Sequence, residues 1–410
     1  MKIAASNEIT SEINAAPAWG AVWAMSLCAT VLISSEFLPV SLLTPIAFDF
    51  GITEGHAGQS ISISGLFALI TSLFLTSVIG NIDRRRILLF FTFLMGVSGI
   101  MVAFAPTATI LMVGRAFLGV CIGGFWSMSA ATVMRLVPKE SVSKALAILN
   151  GGNALATTIA APLGSFLGGI IGWRGAFFCI VPIAVLAFIW QWVSVPALPA
   201  RRKEGNKANI GSVFALLARR NVALGMISTM LFFMGQFALF TYLRPFLETI
   251  TGVQVEQLSL ILLAMGVFGL AGTFLIGHLL KTRLFSLLIA IPVLMMLIVA
   301  ALIIFGHSVC AVFVLLSIWG FLGTAAPVAW WTWLSKTLPD DAEAGGGLMV
   351  AIIQLAITLG AAVGGIIFDT YGYKITFSLS AAILLAAAFM AFITWRLNAS
   401  TTTAQNRVIK

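Results

Sequence analysis

The chain contains twelve runs of apolar residues, each close to the length that a helix needs to cross a bilayer. About 20 apolar residues in a helix span the hydrocarbon core. A chain of 410 residues with short loops has room for about a dozen such spans. The sequence therefore predicts an all-α polytopic membrane protein with twelve transmembrane helices, over 22–45, 57–80, 87–105, 109–134, 145–171, 175–195, 221–246, 257–280, 284–306, 309–334, 348–368 and 375–397.

Composition and charge agree with a membrane protein. Hydrophobic residues make up 60% of the chain and charged residues 9%, whereas about a quarter of the residues in a soluble domain are charged. Every Lys and Arg falls on the side of the N-terminus except Arg115, Arg174, Arg244 and Lys374. Basic residues collect in cytoplasmic loops, so we expect both termini to be cytoplasmic. This distribution also explains the net charge of +9 without a nucleic acid partner.

Two similar halves make up the sequence. An offset of 200 residues aligns Glu36-Phe37 with Gln236-Phe237, Pro45 with Pro245 and Gly172-Trp173-Arg174 with Gly372-Tyr373-Lys374. A near-constant offset across distant sites indicates two like-oriented repeats of six helices, as in transporters with a central site between the repeats. We therefore predict an N-terminal half over 1–195, a basic cytoplasmic linker over 196–220 and a C-terminal half over 221–410.

Glu36 lies near the middle of the first apolar run, two residues after Ser34 and three before Pro39. A charged carboxylate at the centre of a bilayer costs about 2.5–3.5 kcal/mol even on insertion scales. Such an acid usually carries protons or faces a water-filled cavity. The alternative is a carboxyl that is kept neutral or ion-paired and only holds helices together.

Arg115 lies about one and a half turns inside the outer end of the fourth run. An arginine is long enough to reach Glu36 from there, directly or through water. An Arg115–Glu36 pair would lower the cost of burying both charges, and a proton arriving at the acid would break the pair. The sequence therefore predicts that Glu36 and Arg115 couple transport to protons.

The connection between the second and third runs carries one acid beside three cations, Asp83, Arg84, Arg85 and Arg86. Such a turn can bind a neighbouring helix end in one conformation and release it in another, which predicts a gating turn. The alternative is positive charge that only fixes topology.

Several amides and aromatic residues inside the runs could line a central cavity. Amides flanked by aromatic rings suit a flat, hydrogen-bonding solute such as a nucleobase, or a sugar ring. Buried amides also bridge helices, and tryptophans also occupy the interfacial belt. The cavity candidates are Trp126, Asn153, Gln236, Phe240, Tyr242, Trp330 and Gln354.

Small residues recur every fourth position in the fourth and fifth runs. Such stripes let helix backbones approach closely. We therefore expect Gly119, Gly123, Pro162 and Gly164 to shape helix contacts and to flex during transport.

Signals of an enzyme are missing from the sequence. His56, His278 and His307 lie at separate span ends, and the four cysteines fall within apolar runs. We therefore expect no catalytic residue and no metal site. No GxxxxGK[ST] loop is present, so ATP is not expected to drive the protein directly.

These motifs resemble the major facilitator superfamily and, within it, the drug and solute:proton antiporter branch. The residues that carry this resemblance are the Asp83-Arg84-Arg85-Arg86 turn, Arg115 with Gly119 and Gly123, and Pro162-Leu163-Gly164. Longer strings resemble the sugar and nucleoside exporters of that branch, and most closely the purine ribonucleoside efflux pumps: EFLPVSLLTP (36–45), GGFWSMSA (123–130), MRLVP (134–138), APLGSFLGG (161–169) and GQFALFTYLRP (235–245).

The resemblance implies a multi-pass transporter of the bacterial inner membrane that uses the proton gradient and no other cofactor. Its partners would be a small solute, protons and the lipid bilayer, and we expect a monomer. Purine ribonucleoside export by alternating access is the leading function. Sugar or multidrug export, or import by the same fold, remain alternatives in the same class, and a membrane enzyme or receptor is a remote one.

Overall fold

The computed structural model describes residues 18–79, 82–199, 215–338 and 342–408, and these residues form helices joined by short connections. The predicted linker at 196–220 lies mostly outside the described residues. The helices are α1 (Trp19–Phe50), α2 (Glu54–Ile79), α3 (Arg84–Ala103), α4 (Ala108–Leu136), α5 (Val142–Phe178), α6 (Ile180–Ser194), α7 (Arg220–Phe240), the short α8 (Leu243–Phe246), α9 (Val255–Phe305), α10 (Val309–Thr337) and α11 (Ala342–Val408), with 3₁₀ turns at Lys139–Ser141 and Leu216–Ala218 and a π-helical turn at Leu247–Thr251.

The predicted all-α membrane architecture is confirmed. Within the described residues, ten helical segments are long and apolar enough to cross a membrane. Two of them, Lys144–Ser194 and Ala344–Leu397, contain 51 and 54 residues, more than twice the length of one crossing. Each bends at a glycine with non-helical dihedral angles, Gly172 (φ 74°) and Gly372 (φ 77°).

Left-handed backbone occurs at four glycines in the described chain, and these form two pairs. Gly172 and Gly372 are 200 residues apart, and Gly51 (φ 61°) and Gly252 (φ 74°) are 201 apart. A positive φ is readily adopted only by glycine. The repeat that is visible in the sequence therefore extends to the backbone conformation where helices end or bend.

Close helix contacts follow the same repeat. At Gly119 on α4, a Cβ atom would clash with the main-chain carbonyl of Ser64 on α2. At Gly320 on α10, it would clash with the carbonyl of Met265 on α9. Both glycines and both carbonyls are related by an offset of 201 residues. Gly123 approaches the carbonyl of Ala68 in the same way, as the stripe of small residues predicts.

We call α1–α6 the N half and α7–α11 the C half. One cluster of buried apolar residues lies entirely within the N half. A second, mainly of the N half, includes Tyr242, and a third, mainly of the C half, includes Val40, Ile61 and Ala161. Many large apolar side chains on the outer surface are exposed, including Phe74, Phe93, Trp192 and Phe274. In a chain of this kind, the outer surface contacts lipid and has no need to be polar.

The two halves meet along α2 with α11 and along α5 with α9. We call the end of the bundle at Trp19, Arg84 and Leu136 the proximal face, and the end at Phe50, Glu54 and Ala103 the distal face. Among the described residues, the hydrogen bonds that join the halves lie between the middle of the bundle and the distal face. They are Thr53 and Gly55 to Asp369, Gln59 to Ala362, Thr158 to Gly266, and Arg244 to Ser41.

Candidate functional site

Two prolines within α1 determine the local geometry of the site. Proline has no N–H group, so the carbonyl four residues before it receives no helical hydrogen bond. Pro39 leaves the Ser35 carbonyl without such a donor. Nη1 of Arg115 donates to this carbonyl at 2.6 Å. The buried arginine therefore satisfies an acceptor that the sequence of α1 creates.

Three further N–H groups of Arg115 also donate hydrogen bonds. Nε donates to the Ser60 carbonyl at 3.1 Å, and Nη2 donates to Ser64 Oγ at 3.1 Å and to the Glu36 carbonyl at 3.2 Å. The side chain of Arg115 is only 1% exposed. Because its bonds go to α1 and α2, this residue of α4 joins three helices at one point.

Glu36 is buried at 4% exposure beside this arginine. The guanidinium contacts the main-chain carbonyl of Glu36. The ion pairs of the described residues do not include one between the Arg115 guanidinium and the Glu36 carboxylate. The carboxyl lies next to the side chain of Gln354 on α11 of the C half. The acid therefore lies between a fixed cation of its own half and an amide of the other half.

A small cavity lies between the halves next to this cluster. Phe37, the neighbour of Glu36, is stacked on Phe237 with ring centroids 6.0 Å apart, and it meets the edge of Phe240 at 6.1 Å. The cavity wall consists of Phe37, Thr157, Ala161, Gln236, Phe237, Phe240, Leu262, Met265, Gly266, Trp319, Gly320, Gly323 and Thr324. Three phenylalanines, one tryptophan and one amide therefore surround the same space.

Gln236 is the main polar group of the cavity. Its Oε1 atom is buried and has no hydrogen-bond partner, although a buried polar atom without a partner costs about 1–3 kcal/mol. Its Nε2 atom lies 2.9 Å from the place that a Cβ on Gly323 would occupy, so that glycine makes room for the amide. An unpaired acceptor in a cavity is available to a donor of a bound solute.

The cavity is contracted in this structure. Its volume is about 70 Å³, whereas sites for drug-sized ligands measure about 300–1,000 Å³. A groove of about 520 Å³ also exists, but it lies on the outside of the N half along Ile70, Phe74 and Phe90. These three side chains are exposed and face the region of the lipid. We therefore regard the central cavity as the candidate site.

The predicted cavity residues separate into two groups. Gln236 and Phe240 line the cavity, and Gln354 lies beside Glu36 and has a buried, unpartnered Oε1 atom. The other candidates lie elsewhere: Trp126 packs on Phe125, Asn153 is half-buried on α5, Tyr242 packs between Gly58 and Gly365, and Trp330 packs on Trp333.

Phe37 and Thr324 are cavity residues that the sequence reasoning missed. The repeat contained a signal for Phe37, because it aligns with Phe237, and these two phenylalanines contact each other. Equivalent residues of two repeats touch only near the axis that relates the repeats. Thr324 has no comparable signal, because threonine within an apolar helix commonly bonds to its own backbone, as it does here with Gly320.

The predicted gating turn is joined to the end of α6 in this structure. Asp83 Oδ1 accepts hydrogen bonds from the N–H groups of Arg85 at 2.8 Å and Leu198 at 2.9 Å. The Arg85 side chain donates to the Trp192 carbonyl at 2.6 Å, and the N–H of Arg84 donates to the Leu198 carbonyl. Arg86 borders the outer groove. The turn therefore connects α3 with the segment after α6 at the proximal face.

Pro162 and Gly164, the remaining predicted residues, lie within α5. A Cβ at Gly164 would meet Ser41 Oγ and Leu38 on α1. The close approach of α5 to α1 thus occurs near the two prolines of α1.

Comparisons with known proteins give the chain's family. Residues 25–347 match the model of the Major Facilitator Superfamily. The chain is 56% identical over 378 residues to the transcription regulatory protein OpdE of Pseudomonas aeruginosa, covering 92% of this chain and 94% of that protein. It is 44% identical over 376 residues to the purine ribonucleoside efflux pump NepI of Salmonella typhimurium, with the same coverage of both chains.

Solved structures of transporters share the fold. A bacterial homolog of the human lysosomal transporter Spinster has a TM-score of 0.77 at 17% identity and covers 93% of this chain and 98% of its own. A D-xylose-proton symporter has a TM-score of 0.73 at 17% identity, covering 92% and 97%. The resemblance inferred from the sequence is confirmed: this chain is a membrane transporter of the Major Facilitator Superfamily.

Proposed function

We propose that the protein is a proton-coupled secondary active exporter of purine ribonucleosides in the bacterial inner membrane. One observation carries the proposal: the buried Glu36 adjoins Phe37, which lines the cavity, and its carboxyl lies next to Gln354 of the opposite half. A proton that binds Glu36 therefore changes the charge at the border between the halves and next to the candidate solute site.

We propose twelve membrane crossings with both termini cytoplasmic. The bends at Gly172 and Gly372 divide each of the two longest segments into two parts, and each part is long enough for one crossing. Counting these parts separately turns ten segments into twelve. Because basic residues mark the cytoplasmic side, we assign the proximal face to the cytoplasm and the distal face to the exterior.

Alternating access explains how one cavity serves both sides of the membrane. The hydrogen bonds that join the halves hold the distal face closed in the described structure. We infer that the cavity exchanges solute with the cytoplasm while the distal face is closed. Rocking of the N half against the C half would break these bonds, widen the cavity and open it to the exterior.

The proton step follows from the surroundings of Glu36. A neutral carboxyl tolerates burial, whereas an ionised one needs the nearby Arg115 and entering water. In an export cycle, a proton from the exterior binds Glu36 after the solute has left. The proton is released when the site opens to the cytoplasm and solute displaces it.

Support for a nucleoside comes from the cavity and from the relative. Flat rings pack on aromatic side chains, and the free Oε1 of Gln236 accepts a hydrogen bond from a base or ribose donor. The Salmonella typhimurium relative carries the name of a purine ribonucleoside efflux pump. A sugar or drug exporter of the same family would use the same cavity with a different preference.

A regulatory role is the second candidate, because the Pseudomonas aeruginosa relative carries the name of a transcription regulatory protein. A transporter alters transcription when it moves a solute that a separate regulator senses. Such a role would depend on concentrative transport, so a Glu36→Gln variant that no longer concentrates solute would lose the regulatory effect as well.

The test is accumulation of labelled inosine in inverted membrane vesicles with an acidic lumen. We expect uptake above that of vesicles without the protein, and we expect an ionophore that collapses the pH gradient to abolish the difference. Uptake of arabinose or a dye in place of inosine would support the sugar or drug alternative. Uptake of none of these solutes, with the protein present in the membrane, would contradict the proposed export.

A further inference from the structure

The second proline of α1 creates a second free carbonyl. Pro45 leaves the carbonyl of Ser41 without a helical donor. This carbonyl accepts a hydrogen bond from Nη1 of Arg244. Arg244 belongs to α8 in the C half, so the donor comes from the opposite side of the interface.

Arg244 is buried, and its charge is balanced within its own half. The residue is 6% exposed. The Oε1 atom of Glu248, one turn later, accepts a hydrogen bond from Nε of Arg244 at 2.8 Å and lies 2.7 Å from its Nη2 atom. These contacts fix the guanidinium plane and leave Nη1 directed at α1.

Arg244 and Arg115 use the same chemistry on the same helix. Each donates through Nη1 to the carbonyl that lies four residues before a proline of α1. Arg115 comes from the N half and Arg244 from the C half. The first contact is kept when the halves move as rigid bodies, and the second is made across the moving interface.

We propose that Arg244 is a positioning residue of the transport cycle that holds α1 against the C half while the distal face is closed. This role rests on the alternating access proposed above. When the distal face opens, α1 and α8 separate and the Ser41 carbonyl loses its donor. The strength of this contact therefore sets how often the distal face opens.

The contact differs from its neighbours at the distal face. Asp369 accepts from Thr53 and Gly55, but Asp369 and Thr53 are exposed to solvent, so water can replace those bonds at little cost. Ser41 and Arg244 are buried, and water reaches them only after the halves have moved. We therefore expect Arg244 to contribute more to closure than Asp369.

The experiment measures access to the cavity from each side of the membrane. A single cysteine replaces Thr157, which lines the cavity, in a variant whose four native cysteines are replaced by serine or alanine. A membrane-impermeant maleimide is applied to intact cells and to inverted vesicles. A separate variant with its single cysteine in place of the exposed Thr109 reports which preparation presents the distal face.

We expect Arg244→Gln to raise the rate at which the cysteine of the Thr157→Cys reporter is labelled from the distal side by about tenfold or more, the effect of losing one hydrogen bond to a charged group. Pro45→Ala should raise this rate too, because the restored N–H competes with Arg244 for the Ser41 carbonyl. If the two changes remove the same contact, the double variant should exceed neither single variant.

Arg174→Gln is the matched control, because Arg174 forms the ion pair with Asp49 at the distal face within the N half alone. In the Arg174→Gln variant, the reporter cysteine should be labelled at the same rate as in the parent. Parent-rate labelling of Arg244→Gln, or a double variant whose effect is the product of the single effects, would overturn the proposal. If Arg244→Gln fails to insert into the membrane, Pro45→Ala provides the test, because it leaves the ion pair between Arg244 and Glu248 intact. Labelling of the Pro45→Ala variant at the parent rate would also overturn the proposal. The labelling requires no solute, so it separates this role from the identity of the substrate.

Discussion

The two halves of the transporter share their packing and differ in their buried charge. Gly119 approaches the Ser64 carbonyl in the N half as Gly320 approaches the Met265 carbonyl in the C half. The position of Glu36, however, is occupied by Gln236 in the C half. The position of Arg115 corresponds to Leu315 at an offset of 200 residues and to Leu316 at an offset of 201. The shared packing therefore does not require buried charge in both halves, and the buried charges are a separate feature of the N half.

The first helix of each half shows a consequence of this difference. α1 runs without interruption from Trp19 to Phe50 although it contains two prolines, whereas α7 ends at Phe240 and the chain turns before α8. The freed carbonyls of α1 are satisfied by Arg115 and Arg244. Arginine donors therefore accompany the continuous, proline-containing helix of the N half.

We infer a division of roles between the halves, proton binding in the N half and solute binding in the C half. The N half contributes the titratable acid, and the C half contributes Gln236, Phe237, Phe240 and Trp319 to the cavity. Protons would act through the first set and the solute through the second. Exchanging or removing members of each set tests this division.

The largest expected effect is the loss of coupling in Glu36→Gln. Glutamine keeps the shape of the acid and most of its hydrogen bonds, but it cannot ionise. We expect concentrative uptake of inosine by inverted vesicles with an acidic lumen to fall to the level without a gradient, which is a loss of about tenfold or more. Exchange of labelled for unlabelled inosine should persist.

Glu36→Asp is the control for this change, because it keeps the charge and shortens the side chain by one methylene group. It should retain partial uptake with an altered pH dependence. If Glu36→Gln concentrates inosine as well as the parent does, Glu36 is structural and the division between the halves is wrong.

The pair at the centre of the N half could be predicted from the sequence, but the atoms that join it could not. A lone acid and a lone arginine inside apolar runs are conspicuous, so Glu36 and Arg115 could be predicted as neighbours. That Arg115 binds the main chain of α1 depends on the helix register, and the sequence does not give this register. The effect of Pro39 on the Ser35 carbonyl follows from elementary chemistry and could have suggested an acceptor.

Aromatic residues were predicted less well, for a physical reason. A soluble helix reveals its buried face by its polar face, but these helices are apolar all round, so Trp126 and Trp330 cannot be assigned to the cavity or the core from periodicity. The bends at Gly172 and Gly372 fall in the predicted connections between spans, at 172–174 and 369–374. The prediction was better for the two glutamines, because Gln236 and Gln354 are costly to bury and both lie where the halves meet, although the third amide, Asn153, lies outside the cavity.

The second prediction concerns the C half. Gln236→Ala removes the unpaired acceptor from the cavity and should raise the inosine concentration for half-maximal transport by about tenfold, the loss of one hydrogen bond of about 1–1.5 kcal/mol. The dependence of transport on the pH gradient should remain. Transport by vesicles over a range of inosine concentrations gives both quantities.

Asn153→Ala is the matched control, because Asn153 is an amide of the N half that does not line the cavity. It should leave the half-maximal concentration unchanged. An equal effect of both substitutions, or a loss of gradient dependence in Gln236→Ala, would contradict the assignment of solute binding to the C half.

The smallest expected effect is on stability, and it should be the same in both halves. Gly119→Ala and Gly320→Ala each place a methyl group against a backbone carbonyl that cannot rotate away, so the paired helices must separate slightly. Overpacking of this kind costs about 1–3 kcal/mol, partly offset by the roughly 0.8–1.0 kcal/mol by which alanine favours helix over glycine. Each variant should therefore unfold in detergent a few degrees below the parent, in a thermal assay that follows soluble monodisperse protein.

Gly96→Ala is the control, because a Cβ there meets nothing within 4 Å, and its unfolding temperature should match or exceed that of the parent. A loss of stability confined to Gly119→Ala would show that the α2–α4 contact depends on the Arg115 cluster and is not a packing feature common to both halves.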